Sequence, residues 1–190
     1  MKITASLIAL SLLLTAAAAF AAGAPQDLSA YEKMKDPVLV KKPAAKMLVV
    51  EAKGDPNIAG GQAFSLLFKV FFSIPGARMS PPRARWNLDL KTPKEQWVGL
   101  YALPVPDSAT LPAGSEGAKI EVWEYGDVAE ILHVGAYADE PATVAKLMKF
   151  IAEQGYVVAG PHEEEYVRGP ETGPNTSAYR TIIRYQVKKK

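Results

Sequence analysis

Residues 160–167 read GPHEEEYV, three consecutive glutamates between a histidine and a tyrosine. A run of this kind suits a catalytic carboxylate cluster, a metal site, the acidic rim of a ligand pocket or a solvated strand edge. In a strand, alternate side chains face opposite sides, so Glu163 and Glu165 share one face while His162, Glu164 and Tyr166 share the other. Only one or two of the acids can then enter a pocket. The rest need solvent, because an unpaired buried carboxylate neutralises or destabilises the fold. Glu164 or Glu165 with Tyr166 can also act as a general acid–base pair, provided a pocket raises the acid's pKa.

His133 and His162 are the only histidines, 29 residues apart and without a spaced set of acidic partners, so neither a metal site nor a cofactor is expected. His133, in the apolar stretch "AEILHVGAY", reads as a structural residue. There is no cysteine, which excludes thiolate metal sites and disulfides, and no G-x-S-x-G elbow for a nucleophilic serine. Aromatic residues are the other candidates. Trp86, Trp97, Tyr101, Trp123 and Tyr137 fall in or beside predicted strands, and rings with a polar handle suit flat ligands as well as cores. Trp97 and Tyr101, four apart, share one strand face.

The elements that must position these residues come in two sets. "PVLVKKPAAKMLVVEAKG" contains two short apolar runs around a Pro-Ala break and suggests a hairpin. Phe64, Leu67, Phe68 and Phe71 then recur at helical spacing, between "GDPN" and "IPG", and "PPRARWNLDL" and "QWVGLYALPV" read as strands. The second half repeats the order: strands in "KIEVWEYG" and "VAEILHVG", a helix carrying Val144, Leu147, Met148 and Ile151, and strands in "GPHEEEYV" and "YRTIIRYQV". The two helical stripes lie 80 residues apart, as do Pro81 and Pro161, and Trp86 and Tyr166. This spacing predicts an α+β fold from a tandem duplicated unit, strand-strand-helix-strand-strand twice, with two helices packed on an antiparallel sheet. The expected copies are residues 37–105 and 119–188, joined by a linker at 106–118. Their junction would form a central groove, a common place for a ligand.

Lys2 and the run "LIALSLLLTAAAAFA" predict a secretory signal peptide over residues 1–21, followed by a flexible leader to residue 36. The expected destination is periplasmic or extracellular, with no stable membrane insertion after cleavage. With 22 Lys and Arg against 20 Asp and Glu, the chain has no electrostatic footprint for nucleic acid.

The order H-V-G-x-Y in "LHVGAY", G-P and E-x-Y in "GPHEEEYV", and "RTIIRYQV" resembles the GyrI-like small-molecule-binding family, also called the AraC-type effector-binding fold. The resemblance spans roughly residues 45–188 and implies two copies of a small α+β unit around a shared pocket. It implies pocket roles for Tyr166 and Glu164, with Glu165 as a rim acid and Ile182 at the place where drug-binding relatives carry a glutamate. Gln186 likewise stands where they carry a proline, so the family's usual ground for preferring organic cations is missing. The expected ligand is a small apolar or aromatic molecule, met by Trp86, Trp97, Tyr101, Tyr137, Glu164, Glu165, Tyr166 and Ile182. Two alternatives also follow from the resemblance. One is a hydrolase of strained electrophiles using Glu164, Glu165 and Tyr166; the other is haem binding of the kind found in the SOUL proteins, which share a related fold.

Overall fold

The structure is a computed structural model that describes residues 28–86 and 92–190, so the expected signal peptide, residues 22–27 of the leader and the segment after Trp86 lie outside it. The fold is α+β, an eight-stranded antiparallel sheet with helices on it. The strands are β1 (Val38–Lys42), β2 (Ala45–Lys53), β3 (Arg83–Trp86), β4 (Val98–Pro104), β5 (Ala118–Trp123), β6 (Gly126–Val134), β7 (Tyr156–Arg168) and β8 (Arg180–Lys189). Their spatial order is β1-β6-β8-β7-β3-β4-β2-β5. The arrangement matches end to end, with β1, β6, β8 and β7 corresponding to β5, β2, β4 and β3. At the centre β3 meets β7, with Ala84 opposite Glu164 and Trp86 opposite His162.

The expected β1–β2 hairpin does not form. β1 pairs with β6, and β2 lies between β4 and β5. A tight two-residue hairpin needs positive backbone φ, which the intervening Pro43 cannot adopt, and no described non-glycine residue has it. The first strand therefore crosses to the far half of the sheet.

Two of the helices pack on one sheet face. α2 (Pro56–Phe71) is capped by Asp55, whose side chain accepts from the Asn57 amide at 2.9 Å, with Pro56 in the first turn. It lays Ala63, Leu67 and Phe71 on Leu48, Val50 and Leu103. Phe64 and Phe68, on the predicted apolar stripe, are only half-buried, and Phe64 turns toward Tyr166 at the sheet centre. α3 (Glu140–Glu153) begins with Pro141 in its first turn and ends at Gly155, which takes φ 78°. Its Leu147 and Ile151 pack on Ile131, Ile183 and Tyr185, whereas Met148 faces solvent. Each helix thus seals its own core, leaving β3 and β7 between them.

The leader is not free where it is described. Ser29–Glu32 forms a short helix, α1, continued by a 3-10 turn at Lys33–Lys35. Leu28, Tyr31 and Met34, three residues apart, pack on Leu132, Val167 and Ile182 of the opposite sheet face. Glu32 accepts from Arg180 Nε at 2.7 Å. The overall polarity of this stretch hid a one-sided apolar spacing.

Adjacent glycines in α2 give a local test of packing against propensity. A Cβ on Gly61 would meet nothing within 4 Å, whereas one on Gly60 would lie 3.2 Å from Tyr101 Cε1. Gly61→Ala is expected to raise unfolding stability by about 1 kcal/mol, the helix-propensity difference. Gly60→Ala should give less than that or a loss, because Tyr101 must move. Urea unfolding of the two variants checks this.

Candidate functional site

The alternation of β7 splits the glutamate run between two unlike environments. Glu163 and Glu165 point to the face carrying α1, into a cluster of arginines. Arg85 Nε donates to Glu163 at 2.6 Å, and Arg184 Nη1 donates to Glu163 at 2.5 Å and to Glu165 at 3.1 Å. Arg184 Nε also donates to Glu130 at 2.8 Å, and Arg83 pairs with Glu165 at 3.0 Å. The Tyr125 hydroxyl accepts from Arg83 and donates to Glu163, while the Arg85 guanidinium lies 3.9 Å from the centre of the Trp123 ring. Burial alone would raise the Glu163 carboxyl. Arg184, Arg85 and Arg83 outweigh it and hold that carboxyl below the ordinary carboxylate range.

Glu164 faces the helices, and among the described residues its one ion-pair partner is a histidine rather than an arginine or lysine. Its Oε1 lies 2.9 Å from His162 Nε2, and His162 Nδ1 lies 2.7 Å from the Tyr185 hydroxyl. Tyr166 on the same strand, and Glu140 from the start of α3, lie within the electrostatic reach of this carboxyl group. Around it the rings form a continuous wall. Phe64 of α2 meets Tyr101 at 5.1 Å and Tyr166 at 5.9 Å between ring centres, and Tyr137, just before α3, meets Tyr166 at 5.9 Å. Trp86 closes the other side against Tyr101 and His162. The rings pack over the β3–β7 pair, with Phe64 on the α2 side and Tyr137 on the α3 side.

The tyrosines are held neutral. Burial, with Glu164 adding to it, pushes Tyr101 and Tyr185 up to about 12 and raises Tyr137 and Tyr166 further. Glu140, 8% exposed, is pushed up to about 9, first by burial and then by Glu164. Its Oε1 and the Thr181 hydroxyl beside Tyr166 are buried polar atoms without a hydrogen-bond partner. Such atoms mark where a bound molecule or ordered water completes the site.

Of the residues expected from sequence, Trp86, Tyr101, Tyr137, Glu164 and Tyr166 come together here. Trp86 and Tyr101 back the wall from within the α2 core, and Trp97 packs on that core with its indole donating to Thr92 O at 2.8 Å. Glu165 and Ile182 lie on the opposite face, Glu165 among arginines and Ile182 against α1. Neither reaches the groove, because strand parity puts both on the side away from Glu164. Sequence reasoning missed Glu140, Phe64 and Tyr185. Glu140 carried no signal, since it read as an ordinary acid in a helical first turn.

Both histidines have their ring nitrogens engaged. His133 Nδ1 lies 2.9 Å from Thr143 Oγ1 and Nε2 lies 3.0 Å from Ala136 O, which anchors the turn carrying Tyr137. A separate surface depression of about 570 Å³ on the outer side of α2, lined by Ile58, Gln62, Leu66 and Lys69, lies away from these groups.

Residues 35–188 match the family of the GyrI-like small molecule binding domain. Among solved structures, a hydrolase from Listeria innocua is similar at 20% identity and a TM-score of 0.65, covering 85% of this chain and 98% of that one. The EcmrR C-terminal domain is similar at 15% identity and a TM-score of 0.69, covering 82% and 98%. SAV2435 bound to tetraphenylphosphonium is similar at 12% identity and a TM-score of 0.51, covering 80% and 94%. At these identities the likeness is one of fold. No curated protein matches the sequence at a significant level.

Proposed function

The chain belongs to the GyrI-like small-molecule-binding domain family, and from that premise we propose that it binds a lipophilic aromatic cation between α2 and α3. The observation that carries this reading is the contrast within one strand. Glu163 and Glu165 are neutralised by three arginines, whereas Glu164 lies among rings with His162 as its only basic neighbour among the described residues. A carboxylate in an aromatic enclosure attracts a delocalised cation twice, by its charge and through the ring faces. An anionic or strongly hydrated ligand gains neither. Ile182 in the place of the drug-binders' glutamate does not argue against this, since its side chain is on the other face of the sheet. The apolar N-terminal run supports export, so the protein would capture its ligand outside the cytoplasm.

Tetraphenylphosphonium and tetraphenylborate have the same shape and opposite charge, which makes them a direct test. Titration followed by tryptophan fluorescence is expected to show saturable binding of the cation and at least tenfold weaker binding of the anion. Equal affinities would mean that the groove selects for shape alone, and the assignment to cations would fall.

A further inference from the structure

Strand pairing places His162 of β7 opposite Tyr185 of β8 on one side and opposite Trp86 of β3 on the other. Its imidazole lies 5.2 Å from the Tyr185 ring and 5.9 Å from the Trp86 ring, centre to centre. The two ring nitrogens join a chain of three polar groups, with the Tyr185 hydroxyl 2.7 Å from Nδ1 and Glu164 Oε1 2.9 Å from Nε2. The proton positions follow from what each group can do. An ionised carboxylate only accepts, so Nε2 carries a hydrogen and donates it. The neutral ring then has a lone pair at Nδ1, and the Tyr185 hydroxyl donates to it. Burial pushes that hydroxyl up to about 12, so its proton stays in place where histidine changes charge.

A second proton on the imidazole fits the same chain without any heavy atom moving. Nδ1 then donates, and the Tyr185 oxygen accepts. What changes is the charge beside Glu164. Against neutral His162 the carboxylate is held by one hydrogen bond and keeps its charge for a ligand. Against imidazolium it is half of a closed ion pair, and the charge among the rings sums to zero. A bound cation and an imidazolium therefore make the same demand on one carboxylate, and each repels the other. Resting on the cation-binding reading, we propose that His162 is the positioning residue of this site: neutral, it holds Glu164 among the rings for the cation, and protonated, it takes the carboxylate as its own counter-ion and the cation leaves.

The groups around the imidazole leave this role to it. β7 itself contributes Glu164 and, beyond it, Tyr166; β8 contributes Tyr185; β4 contributes Tyr101, behind Trp86; and α3 contributes Glu140, which acts on Tyr185. Trp86 of β3 and Phe64 of α2 carry no charge. Arg85 and Arg184, on the strands either side, turn to the opposite face and pair with Glu163. The side chains of His162 and Glu164 are 20% and 12% exposed, enough for the ring to exchange a proton with solvent. Binding the cation then releases the imidazolium proton to water, so affinity falls as pH falls through the range in which histidine gains charge.

Tetraphenylphosphonium titrated into the wild-type protein and into His162→Gln, at pH 8 and at pH 5.5, tests this. Wild-type affinity is expected to be about tenfold lower at pH 5.5, the change that one histidine proton produces across its ordinary range. In His162→Gln, whose amide gains no charge, the two pH values should differ less than twofold. The tyrosines and Glu140 are common to both proteins, so the comparison isolates the imidazole. A fall of the same size in both proteins, or wild-type binding indifferent to pH, would overturn the role of His162 and leave cation binding intact. Absence of binding at both pH values would overturn the cation reading and this role with it. Nitrogen resonances of the wild-type histidine rings give an answer that needs no variant. His162 should carry its hydrogen on Nε2 alone at pH 8, and saturating tetraphenylphosphonium at pH 5.5 should hold it in that neutral form. A doubly protonated His162 with the cation bound would overturn the competition.

Discussion

Arg184→Met is expected to destabilise the fold by about 3–5 kcal/mol, the cost of removing one partner from a buried ionic cluster. Methionine keeps the length and apolar stem of the side chain, so the loss reports charge rather than a cavity. Arg184 is 2% exposed and touches Glu130, Glu163 and Glu165, which are themselves buried. Lys42, Arg85 and Arg83 remain, one for each acid, but the charge at the middle is gone. The effect must also depend on pH. Glu163 is held below its ordinary value of 4.5, so its contribution is present above that value and lost as pH falls through the folded pKa. Urea midpoints for variant and wild type should thus lie furthest apart near neutrality and converge below about pH 4. A deficit under about 1 kcal/mol, or one indifferent to pH, would mean that water rather than Arg184 satisfies these carboxylates.

Glu164→Gln, one residue along the same strand from Glu163, should do the reverse. It removes a charge with no cationic partner and relieves the repulsion with Glu140, so stability is expected to stay level or rise slightly. Affinity for tetraphenylphosphonium should fall about tenfold, or about 1.4 kcal/mol, since the shape of the site is kept and the carboxylate among the rings is lost, while Glu140 retains charge only at its rim. Glu165→Gln is the control. Its carboxylate faces Arg83 and Arg184, so it should weaken the fold and leave the affinity of the folded protein unchanged. If Glu164→Gln binds the cation as tightly as the wild type, the groove is not electrostatic and the cation reading fails.

The pairing of neighbours with opposite behaviour follows from local chemistry that was legible in advance. The period of two in "HEEEY" separates Glu164 from Glu163 and Glu165 in any strand. The same period in "RAR" offered Arg83 and Arg85 as partners for alternate acids, a signal that the sequence reading did not use. Helical spacing likewise located α2 and α3, because a one-sided apolar stripe depends only on the geometry of the helix. The order of strand and helix patterns predicted the α+β class, and the family motifs added the expectation of a small-molecule site.

Other features depend on contacts between distant segments and leave no local trace. Which side of β7 faces the groove is set by α2 and α3 packing on one face and by α1 and Trp123 taking the other. Ile182 shows the consequence: its position in a family motif is local, but strand parity and α1 decide that it is core. The crossing of β1 to β6 needed an open edge in the far half of the sheet, which no turn signal announces. The raised pKa of Glu140 is the clearest case. An acid in a first helical turn is ordinarily solvated and ionised. Here the fold buries it in the field of Glu164, 24 residues further along the chain, and pushes its pKa up to about 9. Sequence by itself determined the elements, the parity of the acids and the family; tertiary structure alone decided which acid is paired, which is bare and which keeps its proton, because each of these depends on the charge and solvent that remote segments place around a carboxyl group.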